Sequence, residues 1–566
     1  MPKQISYEHM PWLRHYESGV PQEKDYETIC LPEILARRVE EFPEAPALLF
    51  QGYEVTYRAL DAAVRKTAAF LAHLGIKKGD RVALLLPNTI PCVIAFYATM
   101  RIGAIAVMNN PLYTDRELTY QFSDSGAETL ITLDLLARRM IDLRPNTAIR
   151  HIIYTCLGDY LPFLKKLLFP LVAKRKNLAA TVPKADHVYS WKQVSRHSLP
   201  DPAPLSLEFE DPALYQYTGG TTGRTKGAIL THGNLSMQVQ QISAWFPGLE
   251  KAKEVMLGAL PFFHVFGLST SMNFAIYMAW ANVLVPKPNP DTLIETIQTY
   301  RPTFVPMVPT MFIGILNHPD VHNTNMRSIK GCFSGSAPLP QEVIRAFEKE
   351  TGAIIVEGYG LTESSPVSHI NPFGNNRRKI GSIGLPISDT QCRIIDLQEG
   401  ETEVPPGTPG ELLIKGPQVM KGYLNKPEET AAALKDGWLH TGDIALMDEE
   451  GYFFIVDRKK DMIISSGYNV YPRDIEEVLF DHPKIKEAAA VGIPHPKRGE
   501  AIKVYVVLKD DAQATKAELM AYCTERLAKY KHPSDIEIRE ALPKSNIGKV
   551  LKRELRAEAL GKTRTP

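Results

Sequence analysis

The chain reads as an α/β protein. A large N-terminal domain of mostly parallel, helix-covered sheets carries a β-rich subdomain, and a small, mobile α+β C-terminal domain follows. Three observations predict this. Short apolar strands alternate with helical patterns through residues 34–132, the signature of a parallel sheet covered on both faces. From Glu411 onward, strands between Gly- and Pro-rich turns replace that rhythm. Finally, 566 residues are too many for one hydrophobic core.

In chain order, the first 30 residues form an arm with Trp12 and Tyr16 as anchors. A helix is expected at 34–42 and a strand at 47–50. Residues 59–74 repeat apolar side chains at helical spacing (Leu60, Val64, Ala68, Leu71) and stop at Gly75. Strand 81–85, helix 90–101, strand 104–108, helix 116–122 and strand 129–132 follow. Residues 157–176 break the alternation, mixing Leu and Phe with Lys165, Lys166, Lys174, Arg175 and Lys176. Pro162 and Pro170 should break any long helix there. The favoured reading is a surface insertion whose apolar side packs on the body; the alternative is contact with an anionic membrane. Residues 255–286 hold no Asp, Glu, Lys or Arg, so charge alone would allow a membrane span. Pro261, His264, Asn273 and Asn282 interrupt it, and the pattern instead predicts strand 255–260, loop 261–267, buried helix 268–278 and strand 282–285. Further on come strands 411–415 and 452–456, helix 474–480, strands 488–492 and 502–508, and helix 516–527. The charged run Asp457–Asp461 lies between two domains, 1–456 and 462–566, and suits a hinge. No internal repeat is present.

A net charge of +1 argues against a nucleic-acid partner. The 6 cysteines are scattered without C-x-x-C spacing, so neither a disulfide framework nor a zinc site is expected, and a reducing cytosol fits. The N-terminus lacks an apolar signal core, which makes a cytoplasmic location the expectation.

The most informative stretch is residues 216–232, Q-Y-T-G-G-T-T-G-R-T-K-G-A-I-L-T-H. Gly219, Gly220 and Gly223 let backbone N–H groups approach an anion closely. Thr218, Thr221 and Thr222 add hydroxyl donors, and Lys226 adds a mobile positive charge. The stretch reads as a polyphosphate cradle, but not of Walker type, because Lys226 precedes a glycine. A bare Gly/Thr surface loop would not need the interleaved lysine.

Y-T-G-G-T-T-G-x-x-K-G resembles the phosphate loop of the acyl-adenylate-forming enzymes, and this variant is similar to that of bacterial long-chain fatty acyl-CoA synthetases. Other motifs follow in family order. Glu357-Gly358-Tyr359-Gly360, with Thr362 and Glu363 after it, resembles the segment that stacks on adenine and offers oxygens to phosphate and Mg²⁺. Gly335-Ser336-Ala337 resembles the segment along the other adenine face. Asp443, in G-W-L-H-T-G-D, stands where the family binds ribose, and Arg458 matches a second ribose or phosphate contact. Lys460 stands at the hinge position, where many relatives carry Asp. Gly467 matches a glycine lining the thiol tunnel, and Lys549 the lysine that bridges the acyl carboxylate and α-phosphate. His264, in P-F-F-H, matches a motif beside the acyl site; Phe266, Gly267 and Leu268 stand where some long-chain relatives carry a gating tryptophan. Thr218 and Glu363 are the expected metal-side oxygens. Without this context a turn, a basic tail or a buried structural histidine would explain several of these residues equally well.

The resemblance implies an enzyme that uses ATP, Mg²⁺ and CoA as cofactor and co-substrates. A carboxylate becomes an acyl-adenylate with release of pyrophosphate, and CoA then takes the acyl group. A long-chain fatty acid is the expected substrate; medium-chain or coumarate-like aromatic acids are the alternatives within the class. A non-catalytic fatty-acid or acyl-AMP binding protein should have lost Lys549 or Glu363, and a carrier-loading module would need a further segment after Lys549. A monomer or homodimer is expected, with contact at the inner face of the cell membrane as a companion expectation.

Overall fold

The structure is a computed structural model that describes residues 7–203, 205–218, 225–374, 377–465, 468–496, 498–544 and 550–561. The chain packs into two compact units. One comprises Leu13–Gln391 and Ile414–Leu439; the other comprises Cys392–Leu413, the residues from His440 onward and those up to Trp12. The packing units do not divide at 457–461.

Among the described residues, the larger unit holds two big sheets. The first has nine strands in the order Leu385–Pro386, Val367–Ile370, Ile354–Gly360, Gly331–Ser334, Phe304–Met307, Val255–Gly258, Ala281–Leu284, Pro46–Phe50 and Tyr53–Thr56. Its middle is parallel and both ends are antiparallel. The second has eight strands, from Gly422–Tyr423 through Lys226–Thr231, Pro212–Thr218, Ile105–Met108, Arg81–Leu85, Thr129–Leu133 and His151–Thr155 to Val188–Ser190. Buried strands flanked by helices explain the near-continuous apolar runs.

Most expected elements form where periodicity put them. The helix Tyr57–His73 ends as Gly75 takes φ +88°, a conformation in which glycine has no Cβ to clash. The strand Arg81–Leu85 and the helix Ile90–Arg101 match their expected bounds. The hairpin strand Tyr53–Thr56 and the helix Asp134–Leu143 were not anticipated. The uncharged stretch is interior, as expected: strand Val255–Gly258, a short helical turn Val265–Gly267, a π-helical segment Leu268–Asn273, helix Phe274–Tyr277 and strand Ala281–Leu284. Among the described residues no helix is long and apolar enough to cross a membrane. Tyr16 is buried here, donating to the Pro386 carbonyl at 2.5 Å.

One expectation fails. Pro170 does not break the basic insertion: a helix runs through it from Phe163 to Lys176. Proline removes one N–H from the ladder, but the surrounding Leu, Lys and Ala residues are strong helix formers. Nor does its apolar side pack on the body. Phe163, Leu164, Leu167, Leu168 and Leu171 are exposed, and only Ala173 of the helix is buried.

In the smaller unit, strands within Gln391–Ile395, Gly410–Lys415, Trp438–Met447 and Phe453–Arg458 form the expected β-rich part. Trp12 is buried in it, edge-on to Phe453 at 5.7 Å between ring centroids. A second sheet contains the long antiparallel pair Ile485–His495 and Gly499–Leu508, with helices Pro472–Phe480 and Lys516–Arg526. The tail helix Lys552–Ala559 is tied to this core by charge. Lys552 lies 2.8 Å from Glu476, whose carboxylate also accepts from the Ala490 N–H at 2.8 Å. Burial alone would lower the Lys552 pKa, but the charges of Glu476 and Asp457 and the bond to Glu476 outweigh it and raise the pKa. Burial raises the pKa of Asp457, against the pull of Lys552.

Removing one partner of this half-buried pair leaves the other without its counter-charge. Lys552→Met should therefore lower unfolding free energy by about 2 kcal/mol, the worth of a hydrogen bond to a charged group, in urea titrations followed by circular dichroism. Because the native pKa of Lys552 is raised, its contribution is complete below the ordinary lysine value of about 10.4 and is lost as pH rises through the native value. The gap between wild type and variant should therefore be flat near neutrality and close at strongly alkaline pH.

Candidate active site

The phosphate-cradle residues sit on a hairpin of the larger unit. Strands Pro212–Thr218 and Lys226–Thr231 pair antiparallel, with Thr218 opposite Lys226 and Tyr217 opposite Gly227. The register sets Thr218 and Lys226 on either side of the loop mouth. Gly219, Gly220, Thr221, Thr222 and Gly223 lie outside the described residues. Tyr217 braces the hairpin from behind, its hydroxyl 2.8 Å from Asp124 Oδ2. A Cβ at Gly227 would meet the Tyr217 ring at 3.3 Å.

A residue that sequence reasoning missed organises this site. Gly422–Tyr423 adds as a short strand to the outer side of Lys226–Thr231. The Lys226 Nζ sits 4.2 Å from the Tyr423 ring centroid, a cation–π contact. The Tyr423 hydroxyl donates to Glu363 Oε1 at 2.6 Å. Burial, and then the Glu363 carboxylate, push the Tyr423 pKa far above its usual value, so the phenol stays a donor. Tyr423 thus spaces the expected phosphate lysine from the expected metal-side carboxylate. The Met420 N–H donates to the Glu363 carbonyl at 2.8 Å and fixes the same turn from the backbone side. The only sequence signal was an aromatic directly after a glycine turn.

The adenine-motif residues converge on the same region. Strand Ile354–Gly360 pairs parallel with Gly331–Ser334 and then antiparallel with Val367–Ile370. That change of partner explains the glycines: a Cβ at Gly358 would lie 2.3 Å from the Phe333 ring, and one at Gly360 1.9 Å from the Pro366 carbonyl. Both are required by packing, whatever else they do. Tyr359 meets buried His369 edge-on at 5.8 Å. Burial lowers the His369 pKa to about 3, so the ring stays neutral through the physiological range. Glu357 is engaged structurally, accepting from the Gly381 N–H at 2.9 Å. Gly335 follows its strand closely enough to Phe266 that a Cβ would sit 3.1 Å from that ring. Ser336 takes φ +71°, a left-handed turn rare for serine, and with Ala337 it is exposed. Thr362 and Glu363 open a short 3₁₀ turn packed against both hairpin strands.

The acyl-side loop is pinned to the hairpin, as Gln216 Nε2 donates to the Phe263 carbonyl at 2.8 Å. Asn88 holds the preceding segment through Gly258, Leu260 and Phe262. His264 Nδ1 accepts the Phe266 N–H at 3.3 Å. At Gly267 a Cβ would meet the Pro261 carbonyl at 2.4 Å, so no tryptophan could stand there. The buried Gln216 Oε1 and Ser334 Oγ find no partner among the described residues.

Asp443, Arg458 and Lys460 belong to the smaller unit. Asp443 and Arg458 face each other across the Trp438–Met447 and Phe453–Arg458 pair, 3.3 Å apart. Beside them Lys459 lies 2.8 Å from the buried Glu411, which also accepts from the Gly442 N–H at 3.2 Å. Desolvation, and then the like charge of Arg458, lower the Lys460 pKa. Gly467 and Lys549 lie outside the described residues. No group of three or more His, Cys, Asp or Glu side chains among the described residues could hold a metal. The carboxylate of Glu363 and the hydroxyl of Thr218 are hard oxygen donors of the kind Mg²⁺ takes alongside phosphate oxygens.

Comparison with known proteins gives the family and the fold. Residues 35–424 match the AMP-binding enzyme family model, and residues 474–549 match the AMP-binding enzyme C-terminal domain. A long-chain-fatty-acid–CoA ligase of Bacillus subtilis is 44% identical over 97% of this chain and 98% of its own length. A feruloyl-CoA synthase of an Amycolatopsis species is 34% identical over 92% and 97%. Among solved structures, the anthranilate CoA ligase AuaEII in complex with anthranoyl-AMP aligns with a TM-score of 0.82 at 26% identity, covering 94% of this chain and 98% of that one. ATP-bound MatB from Rhodopseudomonas palustris aligns with a TM-score of 0.78 at 28% identity, covering 94% and 99%. Matched by that family's model from residue 35 to 424, with a relative 44% identical along nearly its whole length, the chain belongs to the AMP-binding enzyme family.

Proposed function

We propose that this protein is a long-chain-fatty-acid–CoA ligase. A fatty-acid carboxylate oxygen attacks the α-phosphorus of ATP and pyrophosphate leaves. The CoA thiol then attacks the acyl carbon, and AMP leaves with the electron pair of the broken acyl–phosphate bond. The observation that carries the reading is the Lys226–Tyr423–Glu363 series beside the Thr218/Lys226 hairpin. It presents a cation, a neutral spacer and a carboxylate, which suits a polyphosphate with a divalent cation. The unpartnered Gln216 Oε1 and Ser334 Oγ support a ligand in the same region, and similarity to the B. subtilis ligase supports the long-chain substrate. The aromatic-acid reading has only the less similar feruloyl-CoA synthase behind it. The non-catalytic reading is not favoured, since Glu363 and Lys549 are both present.

Each residue then has a role. Lys226, Thr221 and Thr222 hold the β- and γ-phosphates. Tyr359 and the Gly335–Ser336–Ala337 turn flank adenine, with Glu357 fixing the strand between them. Asp443 accepts from the ribose hydroxyls, with Arg458 beside it. Thr362 and His264 orient phosphate and carboxylate oxygens. Thr218 and Glu363 would hold Mg²⁺, which screens the phosphate charge when bound. Lys549 neutralises charge building between carboxylate and α-phosphate, and Gly467 leaves space for the pantetheine arm. Because these two needs conflict, residues 462–566 turn about Asp457–Asp461, pivoting at Lys460, between the half-reactions. The enzyme works in the cytoplasm, touching the inner face of the cell membrane.

Three expectations follow for purified variants. Tyr423→Phe keeps the ring over Lys226 but removes a hydrogen bond to a carboxylate, worth about 1.5–3 kcal/mol. Its kcat/KM for ATP should fall by roughly 10- to 100-fold, while conversion of supplied acyl-adenylate with CoA continues. An unchanged ATP dependence would remove Tyr423 from the site. Lys549→Ala should slow adenylation by about two to three orders of magnitude yet still make acyl-CoA from acyl-adenylate. Gly467→Leu should show the reverse pattern, and equal damage to both half-reactions in these two variants refutes the turning model. Pyrophosphate release across fatty and aromatic acids, with and without CoA, tests the substrate assignment: highest kcat/KM on an aromatic acid would overturn it.

A further inference from the structure

We propose that the helix Phe163–Lys176 is the element by which this protein docks on an anionic lipid bilayer. Its orientation is the reverse of an ordinary surface helix, which turns its apolar stripe to the core. Leu164, Leu167, Leu168 and Leu171 follow the i, i+3, i+4, i+7 spacing of one face, and with Phe163 they are 57–81% exposed. The opposite stripe holds the helix on the protein. Ala173 is buried, and the Phe169 ring lies so close to Gly158 that a Cβ there would be 2.5 Å away. Lys165 donates to the Gln51 carbonyl at 2.8 Å, and Lys166 to the Asp159 carbonyl at 3.0 Å. An apolar stripe of this size, fastened from behind and turned outward, is unfavourable in water unless something covers it.

Charge identifies the occupant. The helix carries Lys165, Lys166, Lys174, Arg175 and Lys176 and no acidic residue. Lys174, Arg175 and Lys176 stand exposed in its last turn. Leucines with basic residues at their margin match an interface of acyl chains beneath anionic headgroups. A second copy of the chain would set this basic cluster against its own like, so self-association through this face is electrostatically opposed. The helix is too short and too charged to span a bilayer, so it would lie in the headgroup plane. The ligase reading supplies only the use of such contact, since a long-chain acid partitions into membranes; the docking surface itself rests on the helix.

Flotation with vesicles of phosphatidylcholine, with and without phosphatidylglycerol, tests the assignment on the full chain. Wild type should bind the anionic vesicles, more weakly in high salt and more weakly still without phosphatidylglycerol. Changing Lys174, Arg175 and Lys176 to Ser should reduce partitioning by roughly fivefold per charge removed. Changing Leu164, Leu167 and Leu171 to Ser should reduce it by about tenfold or more. Equal binding by wild type and the leucine variant, or no preference for the anionic vesicles, overturns the proposal. So does wild-type self-association in sedimentation velocity that the leucine variant abolishes, because the face would then be covered by a second copy. Circular dichroism checks that each variant folds, with Leu167→Ser alone as the milder substitute. Pyrophosphate release with oleate on albumin, without vesicles, should be equal in all variants. Its loss in wild type would count against the ligase reading and leave the docking result standing.

Discussion

The larger unit's candidate site depends on one ring. Tyr423 has Lys226 over its face and Glu363 at its hydroxyl. A lysine and a carboxylate this near one another would otherwise be drawn into an ion pair. The ring holds them apart with a contact to each, and burial keeps its phenol protonated. The hairpin register and the added strand Gly422–Tyr423 bring the ring beside Lys226. A site prepared this way meets its ligand with less reorganisation than one built on mobile surface charges.

Steric exclusion shapes the surroundings as much as attraction does. Gly358 and Gly360 lie where one strand leaves a parallel partner for an antiparallel one, and neither position has room for a Cβ. The same holds for Gly267, pressed on the Leu260 and Pro261 carbonyls just before the chain enters a π-helical turn. Such turns are uncommon and tend to mark functional regions. Gly358 and Gly360, which the sequence offered as part of an adenine-stacking segment, therefore have a packing reason of their own, and a ligand role would be additional.

The insertion shows where local reasoning fails. Two prolines and a mixed composition pointed to an interrupted segment packed on the body. The structure instead has a continuous helix with its leucines outward. Composition says how apolar a segment is; it does not say which side the body offers. Here Gln51, Gly158 and Asp159 provide only backbone acceptors and a narrow space for one ring, so the stripe of Phe169 and Ala173 turns inward. Sequence also missed the structural use of Glu357, which accepts from a backbone N–H 24 residues away.

The sequence by itself determined the α/β class and the order and type of most elements, and it singled out residues 216–232 without showing that they form a hairpin. Those follow from periods of 2 and 3.6 residues and from glycine's backbone freedom, properties a chain carries locally. The neutrality of His369 and the spacing role of Tyr423 were decided by tertiary structure, as were the need for glycine at 358 and 360 and the outward face of Phe163–Lys176. Each depends on groups brought together from distant parts of the chain: Tyr423 and Glu363 are 60 residues apart in sequence and 2.6 Å apart in space. A pKa set by burial or a missing Cβ set by a neighbouring carbonyl leaves no local pattern to read, because its cause lies in the packing.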